Sequence, residues 1–166
     1  MEVSEMPSDS LDEDMTSLGA RTSPGQPRVR RACVIRADLG SALEFVTSSG
    51  RVRAMFPIAG GMAHGRGWSA RILPGGADFA IRLSDGTYEI EARYCLELED
   101  GTPVMVTNAG RMMPQPDGSY QGRTRAILEV PDGPHRALGD AVYFGTAFAE
   151  AGDESHVYIE LWEAPV

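Results

Sequence analysis

Residues 87–98 alternate without a break. Tyr88, Ile90, Ala92, Tyr94, Leu96 and Leu98 fall on one side; Thr87, Glu89, Glu91, Arg93, Cys95 and Glu97 fall on the other. A period of two held over this length marks a half-buried strand. Asp-Gly stands just before it at 85–86 and just after it at 100–101, which is the strongest short-range hairpin signal, and Asp117-Gly118 is a third. The same texture continues on both sides, with short runs rich in Val, Ile, Tyr and Phe broken by Gly, Pro and Asp. It predicts strands near 29–37, 42–48, 51–58, 66–73, 77–83, 87–98, 103–109, 122–130, 141–148 and 155–163. Beyond residue 28, only a single turn near 134–139 has any helical character. So many hairpin-linked strands must close or stack to hide their edges, so the expected fold is all-β, a closed antiparallel barrel of about 8–10 strands.

Residues 1–27 have a different character. Glu2, Glu5, Asp9, Asp12, Glu13 and Asp14 precede the first basic residue, Arg21, and the run dissolves into Thr22-Ser23-Pro24-Gly25-Gln26-Pro27. The expected organisation is therefore an acidic tail and linker over 1–27 and a barrel domain over 28–166. A solvated, disordered tail is one reading. In the other, Ser10 caps a short helix with acids in its first turn, and Leu11, Met15 and Leu18 form a stripe that lies over the barrel mouth as a lid.

Charge narrows the choice of partners. With 24 acidic against 15 basic residues the net charge is −9, which argues against nucleic acid and against an anionic membrane surface. No apolar run reaches the roughly twenty residues of a membrane span. The amino terminus lacks a basic start and an apolar centre, so no secretory signal is expected and the cytoplasm is the expected compartment. All 15 basic residues are arginine, a usage that suits a GC-rich bacterial genome. Without lysine there is no Schiff base, no pyridoxal phosphate anchor and no phosphate-loop lysine. Cys33 and Cys95 each sit in an apolar run and are expected as reduced core residues. A closed homo-oligomer, most simply a dimer, is the default for a small bacterial domain.

Several segments together resemble the bacterial family known as domain of unknown function 3237. They are Phe56-Pro57-Ile58-Ala59-Gly60-Gly61, Gly65-Arg66-Gly67, Leu73-Pro74-Gly75-Gly76-Ala77-Asp78-Phe79, Glu91-Ala92-Arg93-Tyr94 and Asn108-Ala109-Gly110, with the turns at Asp85-Gly86 and Asp100-Gly101. The resemblance covers residues 29–164 and implies a lipocalin-like barrel with a central cavity. By analogy of fold alone it also points to the cofactor-free barrels that close rings in natural-product biosynthesis. The chain departs from the family pattern at Phe79, where a tryptophan is usual, and at Ala137-Leu138-Gly139, where a stretch usually carries an asparagine.

Few residues are candidates for chemistry. Asp78 alternates with Ala77, Phe79 and Ile81, and Arg93 sits on the polar face of its strand. Either both are solvent-facing charges, or both line a polar interior, with Asp78 taking a proton and Arg93 holding an enolate or carboxylate. His64, in a glycine-rich stretch near Trp68, is a candidate general base, whereas His156 reads as exposed. The three histidines, at 64, 135 and 156, match no metal spacing, and no metal site is expected. Trp68, Tyr94, Asn108, Arg123 and Met112 are candidate ligand contacts, though aromatics and methionines of this kind are also ordinary core or loop residues. Glycines 60, 61, 65, 67, 75 and 76 read as corners where strands bend; a phosphate cradle would need a following helix and a lysine. No Gly-x-Ser-x-Gly elbow is present.

The expected function is a cofactor-free barrel enclosing a small, largely apolar molecule. A cyclase or isomerase would act there by confining a reactive conformer beside one acid–base residue. The alternatives are a carrier or sensor for the same kind of ligand, and a protein-interaction module with a filled barrel, which a cavity below about 300 Å3 would favour.

Overall fold

The computed structural model describes residues 15–22 and 25–165 and contains all ten expected strands. They are β1 (Arg30–Leu39), β2 (Leu43–Val46), β3 (Val52–Gly65), β4 (Trp68–Ile72), β5 (Gly76–Arg82), β6 (Tyr88–Leu98), β7 (Pro103–Pro114), β8 (Tyr120–Glu129), β9 (Val142–Ala149) and β10 (His156–Ala164); one helical turn, α1 (Ala137–Asp140), precedes β9. Every pairing is antiparallel.

Two staves are broken. β1 and β2 pair in turn along one edge of β3, and β5 and β4 pair in turn along its other edge and along β6. Ten segments thus make eight staves, and β1 closes the circle by pairing with both β3 and β10. No edge is left along the main body of the barrel, which is how the fold avoids templating aggregation.

The hairpins at Thr47–Arg51, Leu83–Thr87, Leu98–Thr102 and Gln115–Ser119 share one construction. The fourth residue of each donates its N–H back to the first carbonyl, and the first N–H reaches the fifth carbonyl. Gly50, Gly86, Gly101 and Gly118 occupy that fourth place with φ between 81° and 87°. In the three Asp-Gly turns the aspartate Oδ1 also accepts the N–H two residues on, at 2.9–3.0 Å. This is a type I turn closed by a left-handed residue, which matches the twist of the flanking strands. At Gly101 no atom lies within 4 Å of where a Cβ would be, so Gly101→Ala meets only the backbone penalty. It is expected to lower stability by about 1 kcal/mol in a urea titration, with an unchanged slope.

β3 and β7 are longer than the sequence suggests. β3 runs through Gly60–Gly65, with a shift of register opposite Asp38 and Leu39, and β7 carries Met112 and Met113 on its last turn of pleat. The extra residue is Ala59, unpaired between Ile58 opposite Leu39 and Gly60 opposite Asp38, and this bulge lets β3 bend without ending. Cys33 is buried in the core and Cys95 is half-buried on the outer face of β6; both are free thiols. Met15 to Ser17 form a helical turn and Leu18 is 83% exposed, while the rest of the expected lid helix, Ser10–Asp14, lies outside the described residues. No helix among the described residues is long and apolar enough to cross a membrane.

The interior is divided along the axis. At one end Cys33, Leu96, Leu98, Val104, Val106, Leu128 and Leu161 pack into a solid core. Beneath it α1 tucks Leu138 against the cluster, and its carbonyl accepts the Tyr143 hydroxyl at 2.8 Å. The other end stays open.

Candidate functional site

The open end holds a cavity of about 720 Å3. Its floor is set by strand register. Phe56 pairs with Asp78, Asp78 with Ala92, Ala92 with Asn108, and Asn108 with Ala126, so these five lie in one row across β3, β5, β6, β7 and β8. Tyr94 stands two residues along from Ala92 on the same face. The small Ala92 leaves room between Asp78 and Asn108. Ile58, Ile90, Met112, Ala147 and Ile159 complete an apolar wall.

Three polar atoms in this wall, Asp78 Oδ1, the Tyr94 hydroxyl and Asn108 Oδ1, are buried with no hydrogen-bond partner among the described residues. Buried polar groups in native proteins are almost always satisfied, so this cluster on one cavity singles it out as the candidate site. Asp78 keeps a little accessible surface because it borders the cavity, yet its removal from bulk water dominates its chemistry. Burial, with a smaller push from Glu91, raises its pKa from 3.8 to about 7, against a lowering backbone hydrogen bond from Glu91. Burial likewise raises the Tyr94 phenol, which therefore stays protonated.

The mouth is aromatic and acidic. The Phe56 and Tyr88 rings meet edge-on at 5.6 Å, and Tyr88 lies 5.7 Å from Tyr120. The Tyr88 hydroxyl donates to Glu44 at 3.1 Å, and burial together with that carboxylate pushes its pKa up to about 12. His156, expected to be exposed, is half-buried at the rim, with Nδ1 2.9 Å from Asp153.

Of the candidate residues, Asp78, Tyr94, Asn108 and Met112 border the cavity; Arg93, His64, Trp68 and Arg123 do not. Arg93 alternates with Ala92 and Tyr94, so once those face inward it must point out, where it pairs with Glu91 at 2.6 Å. His64 lies on the outer face of β3 with Nδ1 3.1 Å from Ser69, beside inward-facing Ala63. Trp68 packs half-buried against the core at the closed end, covering Gly65. Arg123 is on the outer face of β8, its guanidinium donating to the Gly122 carbonyl at 2.9 Å. His64 and Arg123 border a shallow external groove of about 520 Å3 together with Met62, Phe148 and Tyr158. None of the unsatisfied buried atoms borders that groove. Sequence reasoning missed Phe56, Tyr88, Tyr120 and Glu44, which reach the mouth from four separate strands.

Comparison with known proteins agrees with this architecture. A UPF0311 protein from Rhodopseudomonas palustris is 46% identical over 69 residues, which is 39% of this chain and 45% of the relative's own length. A hydroalkoxylation enzyme from Penicillium herquei is 26% identical over 95 residues, 57% of this chain and 62% of the relative. A crystal structure of a conserved protein of unknown function from Rhodopseudomonas palustris superposes with a TM-score of 0.76 at 26% identity, over 85% of this chain and 99% of that one. A β-barrel-like protein from Acinetobacter baumannii gives 0.74 at 23% identity, over 86% and 100%, and so supports the fold alone. The profile of the family described as a protein of unknown function, DUF3237, matches residues 27–164. That span takes in all ten strands, and the chain belongs to the DUF3237 family.

Proposed function

We propose that the barrel confines a small, largely apolar molecule bearing a hydroxyl group and closes a ring on it, with Asp78 moving the proton. The carrying observation is the set of unsatisfied polar atoms on Asp78, Tyr94 and Asn108 in a cavity otherwise walled by apolar side chains. A volume of about 720 Å3 lies within the range of roughly 300–1,000 Å3 that suits small organic ligands, and it speaks against a filled barrel that serves only to bind proteins. The Penicillium relative is named for hydroalkoxylation, the addition of an O–H across a carbon–carbon double bond.

The same chemistry fits the residues here. The protonated Asp78 carboxyl gives its proton to one alkene carbon, the substrate hydroxyl oxygen bonds to the other, and the hydroxyl proton returns to the carboxylate. One C–H and one C–O bond form, one O–H and one C–C π bond are lost, and nothing is oxidised or reduced. A pKa near 7 suits a group that must both give and regain a proton at neutral pH. Tyr94 and Asn108 hold the hydroxyl in line, and confinement supplies the near-attack shape.

The test uses a panel of 2-allyl and 2-prenyl phenols, followed by chromatography for a cyclic ether of unchanged mass. Wild-type protein is expected to convert at least one member stereoselectively, and Asp78→Asn to convert none. Binding across the panel with no conversion would overturn the enzyme reading in favour of a carrier.

A further inference from the structure

The permanently charged groups that line the cavity mouth are acidic. Glu44, Asp153 and Glu154 stand there beside His156, and among the described residues no arginine lines the cavity. The chain has no lysine to supply a cation instead. The cations near the rim are already engaged: Arg82 is 2.7 Å from Glu44, and Arg36 is 2.8 Å from Asp38 and faces outward. His156 is held by Asp153 at 2.9 Å, with its Nε2 3.8 Å from Asp38. Inside, Asn108 and Tyr94 are each 3% exposed, and the Asn108 Oδ1 and the Tyr94 hydroxyl have no hydrogen-bond partner among the described residues. An anion entering here would pass like charges at the rim and find no counter-ion at the floor.

Resting on the ligand-binding reading above, we propose that the cavity selects uncharged molecules, with a neutral hydroxyl or carbonyl end on Tyr94 and Asn108, and rejects carboxylates, phosphates and sulfonates of the same skeleton. Intermediates tethered through a phosphate-bearing carrier are rejected for the same reason. The reaction that supplies this substrate must therefore release a neutral compound, as hydrolytic release followed by decarboxylation would do.

A matched pair of fluorescent probes tests this: N-phenyl-1-naphthylamine, which is uncharged, and 1-anilinonaphthalene-8-sulfonate, which adds one sulfonate to that skeleton. The neutral probe is expected to bind with increased emission, and the sulfonate at least about tenfold more weakly. Glu154→Arg, at an exposed rim position, is expected to narrow the gap several-fold by strengthening sulfonate binding. Equal affinity of the two probes for the wild-type protein would overturn the selectivity and leave the ligand-binding barrel standing. Binding of neither would overturn both. So would emission of the neutral probe that is unchanged in both Ala92→Phe and Ala149→Trp, since each adds bulk to the cavity wall.

Discussion

Asp78→Asn is expected to make the protein more stable at pH 8 and inactive at every pH. The carboxyl has a pKa of about 7 in the folded chain against 3.8 when unfolded. Below pH 4 both states carry the protonated acid, and the group contributes nothing to the pH dependence. Between about pH 4 and pH 7 the folded chain holds the proton while the unfolded chain releases it, so stability falls as pH rises through that window. Above pH 7 the loss is complete and amounts to about 4 kcal/mol. Asparagine carries no charge to bury, so the variant escapes this cost. Its melting temperature is expected to exceed that of the wild type by roughly 8–16 °C at pH 8 and to differ little at pH 4. On the proposed reaction the same change removes the proton donor, with a loss of about 100-fold or more. Wild-type kcat/KM is expected to fall above pH 7 as the carboxyl ionises. Thermal melts at the two pH values check the first half, and a superposable pair of melts at pH 8 would place Asp78 in water.

A gain in stability from removing a charged residue is the usual mark of a group kept for function at the expense of the fold. Asp78 sits in a strand whose neighbours invert the ordinary pattern. On β5 the outward residues Ala77, Phe79 and Ile81 are more apolar than the inward Gly76, Asp78 and Ala80, and Phe79 is 48% exposed. Reading that strand alone therefore points Asp78 the wrong way. The strand next to it is unambiguous, and the turn between them has a fixed construction. Counting outward from Asp85-Gly86 pairs Arg82 with Tyr88 and Asp78 with Ala92; counting outward from Asp100-Gly101 pairs Ala92 with Asn108. Both turns are visible in the sequence, so the row that forms the cavity floor was within reach of sequence reasoning. Arg93 would have been dismissed by the same count, because it neighbours two inward residues. The mouth was not legible. Glu44 arrives on β2, the short second half of a broken stave, and reaches the Tyr88 hydroxyl on β6 across strands far apart in the chain; Tyr120 comes beside Tyr88 through the β6–β7–β8 hairpins. No local pattern announces where a stave breaks or which distant strands share a rim.

The glycines separate two kinds of constraint, and the larger is the one without unusual torsions. Gly110 lies on the inward face of β7, opposite Thr124, and its φ is not among the positive values. A Cβ there would fall inside van der Waals contact with the Arg123 carbonyl oxygen and 2.7 Å from the Thr124 Cα. Both obstacles are backbone, so no side-chain rotation relieves them, and β7 and β8 would have to part. Gly145, on the next strand, faces the same Thr124, whose hydroxyl would meet its added Cβ. The absence of side chains at these two positions lets the sheet coil tightly enough to close. Gly110→Ala is therefore expected to cost about 3 kcal/mol, well above the cost at Gly101, where only the backbone torsion resists. Because Asn108 and Met112 flank Gly110 on the same face, separation of β7 from β8 also displaces the cavity wall. Binding of the neutral naphthylamine probe is then expected to weaken in Gly110→Ala and to be unchanged in Gly101→Ala. Equal urea midpoints for the two variants would mean that β7 and β8 have slack at this point, and that closure of the barrel is achieved somewhere else.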